Sequence, residues 1–333
     1  MKKALKIVAI VLVSIVILAM LVVLGFKAYD AIKYRSFYKE ANKEFYIPGL
    51  DEGFVPQGFD YIESERVFLA CGYMSTGEAS RVYIIDEDGD SYHYTELREE
   101  STLDYTGHTG GIAYHQNNLY ITGAEGVDVF SLSDVLDTNI KYAYCRGQIK
   151  TYDVDPAFCY IYDGELLVGA FHKEDDYPTP ESHHITTPAK DENKALMLSF
   201  NLVDSSLNEF GVDPTPVAAY SLPSYVQGAC VTDNGKLVLS TSWGLTTSHL
   251  YAYDLEKVLA TTNSTAAKEI FNLEIPLYYV DSASLTDTIV APPMAEEIVY
   301  LDGKLWIFNE SACNKYIFGK LTTGNFLFSI EYK

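Results

Sequence analysis

A hairpin-like stretch recurs along this chain and limits its possible folds more than any other feature. The clearest copy, Gly228–Trp243, reads as a short apolar strand, an Asp-Asn-Gly turn, a second apolar strand and a polar loop. The other copies are Gly58–Tyr73, Gly111–Ala124, Ala157–Phe171 and Glu297–Glu310. Hairpins repeated at intervals of about 45–70 residues are typical of radial β-architectures. The repeats therefore predict an all-β, five-bladed β-propeller, with six blades as the alternative.

Each repeat and its connection have room for four strands of an up-and-down sheet. The turns carry Asp-Gly or Asn-Asn pairs, which tolerate the positive φ angles of two-residue hairpins. These pairs are Asp88-Gly89, Asn117-Asn118, Asp163-Gly164 and Asp302-Gly303. In the last repeat we predict Asn314–Gly319 as the third strand and Phe326–Glu331 as the fourth. The last blade would then need no strand from the N-terminus.

Composition supports a folded, strand-rich body and argues against a nucleic-acid partner. Hydrophobic residues make up 48% of the chain, and 27 positions are tyrosine, which favours β-strands over disorder. The chain has a net charge of −22. Residues 1–43 carry +6, so the remaining residues carry −28. So acidic a body repels phosphates. The five cysteines include no Cys-x-x-Cys pair, so neither a disulfide framework nor a zinc site of that type is expected.

An apolar stretch near the N-terminus has the length of a membrane-spanning helix. From Ile7 to Phe26 it holds 20 uncharged residues, about the number that crosses a bilayer and more than a cleavable signal usually has. Lys2, Lys3 and Lys6 precede it and favour a cytoplasmic N-terminus, although basic residues also follow it. Cleavage near Ala28–Ala31 is the alternative.

We therefore expect a single-pass signal-anchor in the cell membrane with the propeller on the extracytoplasmic side. The expected division is residues 1–4 cytoplasmic, 5–26 transmembrane helix, 27–45 helical stalk and 46–333 propeller. The expected partners are the lipid bilayer, through residues 5–26, and a small-molecule or glycan ligand. No nucleic acid is expected.

The start of each blade's first strand should contribute a polar side chain to the axial channel. In a propeller these starts, and the loops joining second and third strands, meet at one end of the channel, where loops on a rigid frame commonly bind ligands. The predicted ring is Gln57, His108, Asp155, Gln227 and Glu296. A hydrated rim with a purely structural role is the alternative.

A second pattern places a cationic residue at the start of the third strand in four blades. The four dipeptides are Ser80-Arg81, Asn193-Lys194, Ser248-His249 and Asn314-Lys315. Together they could form a positive spot that holds a carboxylate, sulfate or phosphate. Alternatively, they are solvated side chains that neutralise nearby carboxylates. His172, Trp243 and Glu310, in or beside loops between second and third strands, complete the ligand-binding candidates.

Metal binding and catalysis are further hypotheses. His172, His183 and His184 share the long loop His172–Asn193 with several acidic residues. Asp155 with Glu296 or Glu297 could bind Ca²⁺ or act as an acid–base pair. The metal candidates are Asp155, Glu296, His183 and His184, and the catalytic candidates are Asp155, Glu296 and Glu297. Neither a Gly-x-Ser-x-Gly elbow nor a phosphate-binding loop is present in the sequence.

From about Phe54 onward, the chain resembles bacterial exported propellers of the YncE-like and SMP-30-like group. It is also similar to the five-bladed glutaminyl cyclases in Phe54-Val-Pro-Gln-Gly58 and Glu296-Glu297-Ile-Val-Tyr-x-Asp-Gly-Lys-Leu-Trp306. Sequence segments such as Ser-Trp-Gly-Leu-Thr-Thr-Ser-His-Leu-Tyr resemble those of an uncharacterised family of Gram-positive membrane-anchored propellers. The cyclase resemblance implies cyclisation of N-terminal glutamine as one enzymatic possibility.

Three functions remain open from the sequence. The leading one is binding of a small polar or anionic ligand, or of a surface glycan, at the channel mouth. The second is an enzyme, either a hydrolase, a lactonase or a glutaminyl-cyclase-like protein, that uses mouth carboxylates with or without Ca²⁺. The third is a protein-interaction platform without catalysis.

Overall fold

The computed structural model describes residues 2–333. The chain begins with α1 (Lys2–Lys33), α2 (Arg35–Glu40) and β1 (Ala41–Tyr46). The side chains of α1 before Asp30 are exposed and almost all apolar as far as Phe26. Because the helix is long and apolar enough to cross a membrane, it could serve as an anchor or as a signal segment.

Blades one and two follow in the chain as antiparallel sheets. The strands of blade one are β2 (Phe54–Ile62), β3 (Val67–Met74), β4 (Arg81–Asp86), β5 (Tyr92–Glu100) and β6 (Leu103–Asp104). Blade two begins with β7 (Ile112–His115), β8 (Asn118–Gly123) and β9 (Gly126–Ser131). The chain then forms α3 (Leu132–Leu136) and β10 (Tyr142–Tyr144), which pairs in parallel with β5. β11 (Gly147–Lys150) completes blade two against β9.

Blades three and four repeat this plan with insertions. Blade three contains β12 (Pro156–Tyr162), β13 (Glu165–Ala170), the small hairpin β14 (Ile185–Thr186) with β15 (Glu192–Asn193), β16 (Ala195–Leu202) and β17 (Val212–Leu222). Blade four has β18 (Val226–Val231), β19 (Lys236–Thr241) and β20 (Ser248–Asp254), followed by α4 (Leu255–Leu259), α5 (Ser264–Phe271), β21 (Leu277–Tyr279) and β22 (Leu285–Ala291). β21 pairs in parallel with β17, which links these two blades.

Blade five closes the ring by joining the two ends of the propeller. It contains β23 (Ala295–Leu301), β24 (Lys304–Asn309) and β25 (Phe326–Glu331), and its outer strand is β1. β1 runs antiparallel to β25, with Ala41 opposite Ile330 and Tyr46 opposite Phe326. The five-bladed propeller is therefore confirmed, but the prediction that the last blade needs no N-terminal strand is wrong.

The segment predicted as a third strand, Asn314–Gly319, is instead part of the loop between β24 and β25. It runs into a 3-10 turn at Gly319–Leu321. A Cβ on Gly319 would lie 1.9 Å from the carbonyl oxygen of Ser311, so the loop folds tightly on itself. Its apolar residues Ile317 and Phe318 are exposed, so their hydrophobicity does not mark a buried strand.

The N-terminal segment packs on blade five through aromatic side chains. Phe37 of α2 is buried and meets Phe328 of β25 edge to face, with ring centroids 5.4 Å apart. The hydroxyl of Tyr38 donates a hydrogen bond to Asp30 at 2.7 Å. Residues 27–45, expected as a stalk, thus include α2 and most of β1, which contact the last blade.

The Phe37 contact can be tested by substitution. Phe37→Leu should lower the free energy of unfolding by about 1–2 kcal/mol, because the edge-to-face pair and part of the buried volume are lost. Lys39→Ala, on the exposed side of the same helix, should change it by less than about 0.5 kcal/mol. Urea denaturation in detergent measures both values. Equal stability of the two variants would show that the segment does not support the propeller.

One end of the propeller, here called the mouth, gathers the parts relevant to ligand binding. The inner strands β2, β7, β12, β18 and β23 start there, and the loops from second to third strand lie there as well. The inner strands of blades one, three, four and five each show a register shift near their start, at Pro56/Phe59, Pro156/Phe158, Val226/Gly228 and Ala295/Ile298. Such bulges redirect side chains, which places polar groups of these strands toward the channel.

Candidate functional site

Glu310 forms the centre of a hydrogen-bonded group at the mouth. It follows β24 and is buried. Its Oε2 accepts hydrogen bonds from Gln57 Nε2 at 2.9 Å and from the Tyr316 hydroxyl at 3.2 Å. Burial raises the pKa of Glu310 to about 7, although Lys315, Tyr316 and Gln57 act in the opposite direction. A carboxyl with this pKa donates a proton in mildly acidic solution and only accepts hydrogen bonds above neutrality.

Glu296 is a second buried carboxyl beside the first. Its Oε1 has only long contacts, 3.4 Å to Gln227 Nε2 and 3.5 Å to the Ser242 hydroxyl. Burial raises its pKa well above the usual range, and the negative charge of Glu310 raises it further. The pair therefore places a carboxyl that titrates near neutrality beside a second one whose pKa is also raised. Blades one, four and five contribute to this arrangement.

Glu297 is also buried, but its carboxyl contacts different groups from those around the Glu296 carboxyl. Its Oε1 accepts backbone hydrogen bonds from Ala229 at 3.0 Å and Ile298 at 3.3 Å. Its Oε2 has no protein partner among residues 2–333. Burial raises the pKa of Glu297 well above the usual range. Glu297 fills the space left by Gly228, whose Cβ would lie 2.4 Å from Oε1.

Aromatic rings and Lys315 border the carboxyl pair. Lys315 Nζ contacts the Tyr73 hydroxyl and lies 4.8 Å from the centre of the Tyr73 ring. The same nitrogen lies 5.3 Å from the centre of the Tyr316 ring. The His108 ring stacks on Tyr73 with centroids 5.0 Å apart. Two half-buried rings and one cation therefore stand beside buried carboxyls and amides.

The long loop of blade three forms a second polar group, connected to the first by backbone. His172 Nδ1 and Thr179 Oγ1 are 2.9 Å apart, and Thr179 Oγ1 is 3.2 Å from His184 Nε2. The Tyr225 amide donates to the carbonyl of His172, and the Ser242 amide donates to the carbonyl of Tyr225. Ser242 in turn contacts Glu296, so blades three, four and five share one chain of hydrogen bonds.

Two of the four cations in the predicted positive spot, Arg81 and Lys194, are paired with carboxylates. Arg81 forms an ion pair with Glu52 at 2.7 Å and lies 3.7 Å from Glu78. Lys194 is paired with Glu174, which also contacts His172 at 3.6 Å. His249 stacks on Tyr251, with centroids 5.4 Å apart. These contacts match the alternative considered for this pattern, in which the cations balance nearby acidic residues.

The remaining candidates lie apart from the carboxyl pair. Trp243 packs among Phe171, Tyr177 and Lys173. Asp155 is exposed and lines a surface cavity of about 410 Å³ with Lys150 and Tyr152. Among residues 2–333, no hydrogen bond joins Asp155 to either glutamate. The proposed catalytic pairs of Asp155 with Glu296 or Glu297 therefore remain untested predictions.

The metal candidates do not come together as a ligand set. In the part of the chain that the structure describes, no group of three or more His, Cys, Asp or Glu residues could hold a metal ion. His183 is buried against Phe271, and His184 belongs to the Thr179 group. Burial lowers the pKa of His183 to about 4, as expected for a neutral imidazole in an apolar place. Calcium binding therefore stays a prediction.

Sequence reasoning missed three polar contributors to the mouth: Tyr73, Ser242 and Tyr316. Tyr73 follows Gly72 near the end of the second strand of blade one, and Tyr316 follows the predicted Lys315. Their position at or next to loops between second and third strands was the available signal. Tyrosine at 27 positions makes any single one hard to select.

Comparison with known proteins does not assign a family. No protein-family model matches the chain, and no curated protein is similar to it in sequence. The YncE-like and SMP-30-like grouping and the cyclase resemblance therefore stay predictions.

Solved structures resemble the chain only distantly. The PQQ-bound aldose sugar dehydrogenase from Streptomyces coelicolor is 12% identical, with a TM-score of 0.46, over 87% of this chain and 96% of that chain. A β-xylosidase, RS223, is 12% identical with a TM-score of 0.47, over 88% and 94% of the respective chains. The WD40 β-propeller domain of Doa1 is 9% identical with a TM-score of 0.39, over 81% and 94%.

Proposed function

We propose that the protein is a membrane-anchored, extracytoplasmic propeller that binds a small polar ligand rich in hydroxyl groups, such as a short surface glycan, at its mouth. The single observation that carries the proposal is the buried pair Glu296 and Glu310 with raised pKa values. Burying two carboxyls is costly, and neither adds a hydrogen bond to the β-sheet ladders. A binding role accounts for that cost.

The chemistry of the mouth suits hydroxyl groups. A protonated carboxyl and an amide each donate and accept hydrogen bonds, so Glu296 and Gln227 match alternating hydroxyls. Tyr73 and Tyr316 offer aromatic faces for the apolar side of a sugar ring. A neutral ligand is favoured over an anionic one, because Arg81 and Lys194 already have carboxylate partners.

The anchoring part of the proposal rests on α1. Its 20 uncharged residues from Ile7 to Phe26 match the thickness of a bilayer core, and the lysines before them favour a cytoplasmic start. The propeller would then lie outside the cytoplasm. Carbonate extraction of membranes, with protease added to intact cells, tests both anchoring and side.

A ligand screen by thermal shift tests the binding proposal. The full chain in detergent is heated with neutral oligosaccharides, amino-sugar oligosaccharides, and carboxylated or sulfated oligosaccharides, each with Ca²⁺ or with EDTA. A ligand that binds the folded state raises the unfolding temperature. Stabilisation only by the anionic set would contradict the preference for a neutral ligand. The absence of a response to every set would contradict the proposal.

Tyr73 provides a specific test once a stabilising sugar is found. Tyr73→Ala should weaken its binding about fivefold, because a stacking face worth roughly 1 kcal/mol is removed. Tyr162→Ala is the matched control, since Tyr162 is also partly exposed but ends β12 at the opposite end of the propeller. Isothermal titration measures both. If the two variants bind equally, the ligand does not occupy the mouth.

A further inference from the structure

The end of α1 is attached to the mouth of the propeller. Phe26 of α1 stacks on Phe318 in the loop between β24 and β25, with ring centroids 5.8 Å apart. Tyr34, directly after α1, is hydrogen-bonded to Thr247 in the loop between β19 and β20 at 3.2 Å. Both loops join second and third strands, so both lie at the mouth.

The path of the chain shows on which side of the propeller α1 extends. Ala41, at the start of β1, lies opposite Ile330, near the end of β25 that is distant from the mouth. Phe37 contacts Phe328 midway along that strand, and Phe26 is at the mouth. Residues 2–25 therefore continue beyond the mouth. As a helix they are about 36 Å long, which exceeds the roughly 30 Å of a bilayer core.

Exposed apolar side chains surround this attachment. They lie at the mouth ends of blades four and five and are here called the apolar rim: Tyr46, Tyr225, Leu245, Ile317 and Phe318. The mouth sides of blades one and three are different, because carboxylates are exposed there: Asp51, Glu52 and Glu78 before and in blade one, and Glu174, Asp175 and Asp176 in blade three. Carboxylates do not enter a bilayer readily, whereas aromatic and aliphatic side chains favour its interface.

We infer that the apolar rim docks on the lipid bilayer from which α1 emerges, so that the mouth faces the membrane surface. The exposed Lys27, at the propeller end of α1, would lie among the headgroup phosphates. Blades four and five touch the lipid, and the acidic sides of blades one and three stay in water. This inference rests on the anchoring part of the proposed function and does not require a ligand.

Site-specific fluorescence in nanodiscs tests the docking. The full chain, in a Cys145→Ser background because the other four cysteines are buried, receives one cysteine by Ile317→Cys, Leu245→Cys or Leu207→Cys, which is labelled with bimane. Leu207 is the matched control: it is 81% exposed, as Ile317 is 78% exposed, but it lies between β16 and β17 at the opposite end. Lipids with a nitroxide on the headgroup quench bimane at short range.

The labels at 317 and 245 should lose most of their emission in nitroxide nanodiscs, and the label at 207 should keep its emission. Adding Phe318→Asp to the 245 variant should restore much of the emission while the protein remains in the nanodisc. Equal emission at 207 and 317, or quenching at 207 alone, would overturn the inference. If the chain does not enter nanodiscs, the anchor fails and the docking with it. Labels that are shielded but not quenched would indicate a protein partner and also overturn it.

Discussion

Glu310→Gln should remove one part of the stability that the wild-type protein loses as pH rises from about 4.5 to 7. The remainder comes from other carboxyls whose pKa is raised, namely Asp60, Glu296 and Glu297. The folded protein holds the proton of Glu310 up to a pKa of about 7, whereas the ordinary pKa of a glutamate is 4.5. Between these values the folded state binds more protons than the unfolded state, so the free energy of unfolding falls with rising pH. A shift of this size corresponds to roughly 3 kcal/mol. Glutamine stays neutral and keeps an oxygen for Gln57 and Tyr316.

Urea denaturation at pH 4.5, 6 and 8 measures this effect. Wild type and Glu310→Gln should be similarly stable at pH 4.5, and the variant should be more stable at pH 8. The control is Glu87→Gln, because the Arg66 guanidinium and Tyr61 hold the pKa of that exposed carboxyl low. Removing an exposed ion pair changes stability only slightly, and here the loss would appear above pH 4.5. Parallel pH profiles of wild type and Glu310→Gln would contradict the raised pKa.

The fold was largely predictable because its signals are local. Each inner hairpin, such as Gly228–Trp243, carries its apolar strands and its turn residues within a short stretch, so the sequence alone shows it. The outer strand of blade five is not local: β1 pairs with a strand at the other end of the chain. No nearby turn residue marks such a pairing, and the apolar run at Tyr316–Phe318 suggested a strand that does not form.

The sequence indicated candidate residues for the site, but it did not indicate which side chains contact each other. The start of each inner strand predicted a polar side chain at the channel, and three of these, Gln57, Gln227 and Glu296, form hydrogen bonds in the group around the two buried glutamates. The contact between Gln57 and Glu310 joins blade one to blade five, and nothing in either stretch reveals it. The ion pairs of Arg81 and Lys194 come from acidic residues in neighbouring loops. Charge pattern alone therefore could not show that two of the four cations in the predicted positive spot have carboxylate partners.

Gly228→Ala should destabilise the protein by about 3 kcal/mol or more, because a side chain at this position has no space. Its Cβ would lie 2.4 Å from Glu297 Oε1 and 2.6 Å from the Glu297 Cα, which belongs to the inner strand of the next blade. A backbone atom cannot move aside as a flexible side chain can, so β18 and β23 must separate. Overpacking of this kind usually costs about 1–3 kcal/mol, occasionally more, and here it also disturbs the buried Glu297 hydrogen bonds.

The matched control is Gly235→Ala in the turn of the same hairpin. Gly235 has a φ of +73° and open space around its Cβ position, so alanine should cost only about 1 kcal/mol of backbone strain. Thermal unfolding of both variants separates the two effects. Because Glu296 precedes Glu297 in the displaced strand, Gly228→Ala should also weaken binding of any sugar that stabilises the wild type, whereas Gly235→Ala should not. Equal stability of the two variants would mean that the inner strands are not packed backbone to backbone around the channel.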